Sequence, residues 1–214
     1  MKIDFNELLD EAICKEREER TKRERSGKFS PSRMGKCYRY QIWQRQGVPE
    51  TDEIPMAVFR KFRAGNIYHK DLQGMVDDVE VEYEDESFKM FADHVGEDYV
   101  VDFKTVFSGQ FKRMKKMSSE DIVSSKEQYV YQLMAYCHFL KKSTGYLVFV
   151  NKDDYDIIQV EVLFKDWKRR LEDEVGILLG YWKKGTVPPC LPRAYGGKEK
   201  TYCPYRSHPE CAGC

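Results

Sequence analysis

The spacing of apolar residues changes at Val79, and this change constrains the fold more than any other feature of the sequence. The residues before it contain segments with helical spacing of apolar side chains. From that point Val79, Val81 and Tyr83 alternate with glutamates, which is the period-two pattern of a half-buried strand. The sequence therefore predicts a helical N-terminal region followed by a β-sheet.

The remaining elements are predicted in the same way. Helices are expected at about 5–25, 36–46, within 57–76, at 126–142 and at 165–184. Strands are expected at about 79–84, 88–95, 99–105, 146–151 and 157–164. The polar turn Gly96-Glu97-Asp98 joins the second and third strands as a hairpin. This order predicts an α/β fold, with a central mixed β-sheet flanked by helices.

Composition and charge indicate an ordinary globular protein of one domain. The 214 residues include 36 basic and 36 acidic side chains, so any affinity for a polyanion must be local. No apolar run is long enough to cross a bilayer, and Met1 to Arg25 lacks the apolar block of a secretory signal. We therefore expect a cytoplasmic protein that does not associate with membranes.

Two clusters of basic residues are candidates for local contacts with nucleic acid. The cluster from Lys15 to Lys28 is interrupted by glutamates, whereas the cluster from Lys112 to Lys116 is not. A solvated helix face or loop explains the first cluster equally well. For the second cluster, contact with DNA and a solvated surface both remain open.

Two acidic residues and a lysine fall on the predicted hairpin. Side chains alternate along a strand, so Asp102 and Lys104 project from one face, and the turn brings Asp93 onto the neighbouring strand. Two carboxylates can share a Mg²⁺ or Mn²⁺ ion. A lysine beside them can position a water molecule and offset negative charge in a transition state. The exposed face of an ordinary hairpin also carries such residues.

The order of these and other residues resembles the PD-(D/E)XK nucleases, and in particular their RecB-like branch. Asp93 followed by Asp102-Phe103-Lys104 is similar to the family's core motif, although no proline precedes Asp93. The segment from Gly65 to His69 looks like the branch's helical glycine-to-histidine motif. Gln132 and Tyr136, one helical turn apart, match its glutamine and tyrosine motif.

The resemblance implies a restriction-endonuclease-like core in one domain spanning residues 1–214. The catalytic core is expected at about 57–164, and the helical and cysteine-containing regions at 1–56 and 165–214. The implied activity is hydrolysis of DNA phosphodiester bonds, on single-stranded DNA or DNA ends, with exonuclease action favoured over endonuclease action. A non-catalytic nucleic-acid-binding module, or a subunit of a recombination or CRISPR-type assembly, is the alternative. A protein partner or a homo-oligomer is compatible with both.

The resemblance also implies a role for each site residue. His69, Asp93, Asp102 and the carbonyl of Phe103 are expected to bind Mg²⁺ or Mn²⁺, and Lys104 to orient the attacking water. Gln132 and Tyr136 are expected to position the substrate backbone or to support Lys104. A further expectation concerns three aromatic residues, which either stack on unpaired bases or belong to the core: Tyr38, Tyr40 and Trp43.

Seven cysteines remain to be explained, and three of them are close to the C-terminus. In a reducing compartment, clustered cysteines favour a metal site over disulfides. Iron-sulfur RecB-like nucleases, including CRISPR-associated and phage enzymes, take one cysteine from ahead of the catalytic core and three from the tail. This resemblance implies a 4Fe-4S cluster. Its expected ligands are Cys37, Cys203, Cys211 and Cys214.

The tail departs from the family pattern in its cysteine spacing. The close pair comes last, and Lys200 stands where an earlier cysteine is expected, so Cys190 is an alternative to Cys214. Zinc is an alternative to the cluster, because four thiolates also suit zinc. The expected role is structural, since a metal that joins distant cysteines contributes its binding energy to folding. Cys14 and Cys137 lie on helical patterns and are expected to be buried.

Overall fold

A computed structural model describes residues 4–21, 26–76, 79–193 and 199–211. The helices are α1 (Phe5–Thr21), α2 (Tyr38–Gln46), α3 (Met56–Gln73), α4 (Ser108–Met114), α5 (Ser119–Ser125), α6 (Glu127–Leu140), α7 (Phe164–Lys184) and α8 (Glu199–Tyr202). The strands are β1 (Val79–Glu84), β2 (Lys89–Val95), β3 (Tyr99–Val106), β4 (Thr144–Asn151) and β5 (Ile157–Leu163). None of the helices in these ranges is both long and apolar enough to cross a membrane.

The five strands form one mixed sheet in the order β1-β2-β3-β4-β5. β3 and β4 are parallel, and the other neighbouring strands are antiparallel. Parallel neighbours need a long crossover connection, which α4, α5 and α6 provide between β3 and β4. The predicted α/β class, with a mixed sheet flanked by helices, is confirmed.

Apolar side chains are buried on both faces of the sheet. The larger core lies between the sheet and helices α6 and α7, and includes Leu133, Leu147 and Leu171, all fully buried. A smaller core on the other face joins Leu72 of α3 to Val101 of β3. Helix α3 is thereby fixed against β3, the strand that carries the predicted acidic residue and lysine.

Helices α4 and α5 were not predicted from the sequence. Each has seven residues, too few for a clear apolar period. The start of α5 is stabilised by Ser118, whose side chain accepts a hydrogen bond from the Asp121 N–H. The basic cluster from Lys112 to Lys116 covers the end of α4, and its charged residues are exposed around the buried Met114. Its contact with DNA remains a prediction.

Candidate active site and cysteine cavity

Strands β2 and β3 pair only close to the turn that joins them. The ladder ends at the pair His94 and Val101, and the next residue on each strand is an aspartate. Beyond this point the N–H of Phe103 donates a hydrogen bond to Oδ2 of Asp93, at 2.8 Å. Asp93 is 6% exposed and Asp102 is fully buried. The end of the ladder therefore brings two carboxyl groups together inside the protein.

The ammonium of Lys104 lies against one of these carboxyl groups. Its Nζ is 2.7 Å from Oδ1 and 2.6 Å from Oδ2 of Asp102, as expected for residues that alternate along one face of β3. Burial disfavours the charge on Lys104, but the attraction of Asp102 and Asp93 outweighs it and raises the pKa of the lysine. Lys104 is therefore held in its charged form.

Asp93 has the most strongly perturbed carboxyl group of the site. Burial and the negative charge of Asp102 raise its pKa to about 8, although Lys104 and the Phe103 N–H act in the opposite direction. One ammonium thus faces two carboxyl groups. This excess of acidic groups at a buried position is a feature of sites that act on charged ligands.

Three further predicted residues reach the pair from helices. Nε2 of His69, on α3, is 2.7 Å from Oδ1 of Asp93. The side-chain amide of Gln132, on α6, donates to Oδ1 of Asp102 at 3.2 Å and to the hydroxyl of Tyr136 at 2.8 Å. Burial, followed by the charges of Asp102 and Asp93, raises the pKa of Tyr136 well above its usual value, so its hydroxyl stays protonated. The roles of these residues remain predictions.

The donor atoms at this site suit a hard divalent cation. Within the described residues, no three histidine, cysteine, aspartate or glutamate side chains are already arranged as a metal site. Lys104 and His69 hold the carboxylate oxygens that a cation would share. Adjacent carboxyl groups that offer several oxygen atoms are the chemistry that Mg²⁺ or Mn²⁺ requires.

A cleft of about 620 Å³ gives solvent access to the site. It is lined by His69, Asp93, Gln132 and Tyr136, together with residues of the 26–33 segment. Asp93 therefore faces the cleft, whereas Asp102 is fully buried. A ligand that enters the cleft meets the Asp93 side of the pair first.

The excess of acidic groups predicts opposite stability effects at two positions. Asp93→Asn removes the negative charge that this carboxyl group carries above its pKa of about 8 and leaves Lys104 paired with Asp102, so we expect the free energy of unfolding at pH 9 without metal to rise by about 1–2 kcal/mol. Lys104→Met leaves two facing carboxyl groups and should lower it by about 3 kcal/mol. Chemical denaturation in EDTA measures both values. A less stable Asp93→Asn protein would contradict this account of the site.

Four cysteines line a second, smaller cavity: Cys37, Cys190, Cys203 and Cys211. Burial raises the pKa of Cys203 to about 11, and the charges of Cys211 and Cys37 contribute to the shift. Cys190 is disulfide-bonded. Cys214 lies outside the described residues, and the predicted cluster remains a prediction.

Buried glutamates fix the tail beside this cavity, and no sequence pattern predicted them. Glu174 of α7 forms a two-pronged ion pair with Arg193 and accepts hydrogen bonds from the Gly35 N–H and the Tyr38 hydroxyl. Glu199 accepts hydrogen bonds from the backbone N–H groups of Cys37 and Arg193. The segment around Cys37 and the C-terminal segment are therefore held together by hydrogen bonds and an ion pair.

For Trp43 the structure selects one of the two alternatives; of the expectations about single cysteines, one fails and one is confirmed. Trp43 is 4% exposed and packs on Tyr205 with ring centroids 5.0 Å apart, so it belongs to the core and is not open to a base. Cys14 is only partly buried because it lies on α1, which packs against α3 at the edge of the molecule. Cys137 is fully buried, as expected.

Comparisons with known proteins show a similarity of fold to solved structures. No protein-family model and no curated protein matches the chain. Among solved structures, SSO0001 superposes with a TM-score of 0.56 at 17% sequence identity, over 96% of each chain. The chain shares the fold of SSO0001.

Two structures of an alkaline exonuclease, LHK-Exo, are more distant. The protein from Laribacter hongkongensis gives a TM-score of 0.47 at 16% identity, over 74% of this chain and 89% of that one. The complex of LHK-Exo with dAMP gives 0.49 at 15% identity, over the same shares of the two chains.

Proposed function

We propose that this chain is a Mg²⁺- or Mn²⁺-dependent deoxyribonuclease that hydrolyses phosphodiester bonds. The observation that carries the proposal is the contact of Lys104 with Asp102, beside Asp93, which lines an open cleft. The order of the motifs along the sequence, which resembles the RecB-like branch of the PD-(D/E)XK nucleases, supports the same assignment. Single-stranded DNA with a free end is the proposed substrate.

The proposed metal ligands are Asp93, Asp102, His69 and the carbonyl oxygen of Phe103. A bound divalent ion supplies a Lewis acid for the phosphate and lowers the pKa of a bound water. Lys104 orients the water that attacks phosphorus, and its charge offsets the negative charge that develops on the phosphate oxygens. Hydrolysis adds this water across the P–O bond, leaving a phosphate on one fragment and a hydroxyl on the other.

Gln132 and Tyr136 hold the carboxylate of Asp102 in place and take no direct part in the reaction of the phosphate. The amide of Gln132 donates to both Asp102 and Tyr136, so it helps to fix the direction of the Asp102 carboxyl group. A side chain that is held by such contacts keeps its geometry when substrate enters. We therefore regard Gln132 and Tyr136 as positioning residues.

The test is an assay of end-labelled single-stranded DNA with the purified chain. We expect cleavage with Mg²⁺ or Mn²⁺ and none with EDTA. Circular single-stranded DNA has no ends and should remain intact if the action is that of an exonuclease. Binding without cleavage under every metal condition would overturn the assignment and favour the non-catalytic binding module.

We also propose a structural 4Fe-4S cluster on Cys37, Cys203 and Cys211, with Cys214 or Cys190 as the fourth ligand. Its support is the convergence of three thiols on one cavity next to the tail. A cysteine binds iron as its thiolate, so the fourth cysteine must be reduced when the cluster is assembled. Zinc is the alternative metal. Iron and sulfide analysis of protein purified anaerobically under reducing conditions distinguishes the two.

A further inference from the structure

Three segments of the chain form the walls of the cleft. Helix α3 contributes residues that lie on one helical face: Asn66, His69, Lys70 and Gln73. Strand β2 contributes Lys89, Phe91 and Asp93, and residues 26–33 form the third wall. The cleft therefore runs along β2, and the candidate metal ligands His69 and Asp93 contact each other where α3 meets this strand.

The β2 wall places an aromatic ring next to the acidic pair. Residues two apart on a strand share a face and are separated by about 7 Å, so Phe91 follows Asp93 directly along the cleft. The side chain of Phe91 is 48% exposed, although the neighbouring Met90 and Ala92 are buried in the core. The ammonium of Lys89 lies 5.6 Å from the centroid of this ring, and the exposed part of the ring offers an apolar contact surface to a ligand.

Two positively charged side chains lie on the other two walls of the cleft. Arg33 lies in the 26–33 segment, and Lys70 follows His69 on α3. Neither forms an ion pair with a carboxylate in the part of the chain that the structure describes, whereas Lys28 and Lys89 are both paired with Glu84. Arg33 and Lys70 are therefore the cleft cations that are free to contact an anionic ligand.

We propose that Phe91 stacks on an unpaired base next to the phosphate held at Asp93, while Arg33 and Lys70 contact the flanking phosphates of a single DNA strand. A positively charged groove with an aromatic platform is the general way in which proteins bind single strands. Bases in a duplex are stacked on one another and offer no free face to the ring. The assignment of Asp93 to the reacting phosphate rests on the proposed function; the binding of the strand does not.

Binding is measured in EDTA, where metal-dependent cleavage cannot occur, by fluorescence anisotropy of a labelled single strand. Phe91→Ala should weaken binding by about tenfold, because stacking on one base is lost. Phe91→Trp should bind the single strand about as tightly as the unaltered protein, because it keeps an aromatic ring. The matched control is Phe62→Ala, since Phe62 is 56% exposed on α3 but does not line the cleft.

A scan with abasic sites separates stacking from a structural effect. In the unaltered protein, one abasic position should weaken binding by about tenfold. The same abasic strand should cause no further loss with Phe91→Ala, because the ring and the base form one interaction. An unchanged abasic profile in Phe91→Ala, or equal weakening for duplex and single strand, would overturn the proposal.

The two cations are tested through the salt dependence of binding. Each phosphate contact with a single strand contributes about 0.7 to the slope of log K against log salt. Arg33→Ala and Lys70→Ala should each reduce the slope by about that amount, while Lys165→Ala, an exposed lysine at the start of α7, should not. Unchanged slopes for both cleft variants would remove these residues from the proposed path.

The outcomes separate this inference from the proposed nuclease activity. Position-specific coupling of Phe91 to a base, without any cleavage in Mg²⁺ or Mn²⁺, would support the inference and overturn the activity. Metal-dependent cleavage by a protein in which Phe91→Ala binds normally would support the activity and overturn the inference.

Discussion

Asp102→Asn should reduce Mg²⁺-dependent cleavage of single-stranded DNA by at least about 10³-fold. The amide lacks the negative charge that a divalent ion requires, and it leaves Lys104 without the partner that holds its ammonium in place. Gln132 would also lose a carboxylate acceptor. Single-turnover rates at saturating DNA measure the loss of the chemical step separately from any change in binding.

Glu97→Gln is the matched control for Asp102→Asn. Glu97 is exposed in the turn that joins β2 to β3, so it tests removal of a carboxylate from the same hairpin without touching the buried pair. Its cleavage rate should equal that of the unaltered protein. Both variants should retain the circular dichroism spectrum of the native protein. An Asp102→Asn protein that is folded and cleaves at the normal rate would rule out the proposed site.

The hairpin that carries this site was predictable because its signal is local. Alternation along β2 and β3, and the polar turn between them, place Asp93, Asp102 and Lys104 near one another without knowledge of the rest of the chain. The end of the ladder after His94 and Val101 was not predictable, because it depends on how β2 leaves the sheet. Burial of Asp102, and the pKa shift of Asp93 that follows, depend on the same tertiary feature.

Contacts between distant segments could not be predicted from local sequence patterns, except where a family motif indicated them. The contact of Gln132 with Asp102 joins residues thirty positions apart, and it was anticipated only through the resemblance. Glu174 and Glu199 gave no signal, since an acidic residue on a charged helix or tail looks like a solvated one. Local patterns could not predict the burial of Trp43 either, because its packing partner Tyr205 lies in the tail. Phe91 had a usable signal, its position two residues before Asp93 on the same strand.

Cys203→Ala should remove the iron and the visible absorbance of the protein, and lower the midpoint of thermal unfolding by about 10 °C. The cluster would join the segment around Cys37 to the tail, so its loss removes a link between distant parts of the chain. Cys14→Ala is the control, because Cys14 lies on α1 and does not line the cavity. Retention of iron and sulfide by Cys203→Ala would exclude Cys203 as a ligand.

The same variant distinguishes a structural cluster from one that takes part in cleavage. The proposed catalytic residues all belong to α3, β2, β3 and α6, and the ion pair of Glu174 with Arg193 holds the tail through groups other than the cysteines. One path connects the two sites: Gln44 lines the cleft and donates a hydrogen bond to Tyr205, which packs beside the cysteines. Coupling through such a contact should lower the cleavage rate per folded molecule by less than about tenfold. A loss as large as that of Asp102→Asn would instead mean that the cluster contributes directly to the reaction.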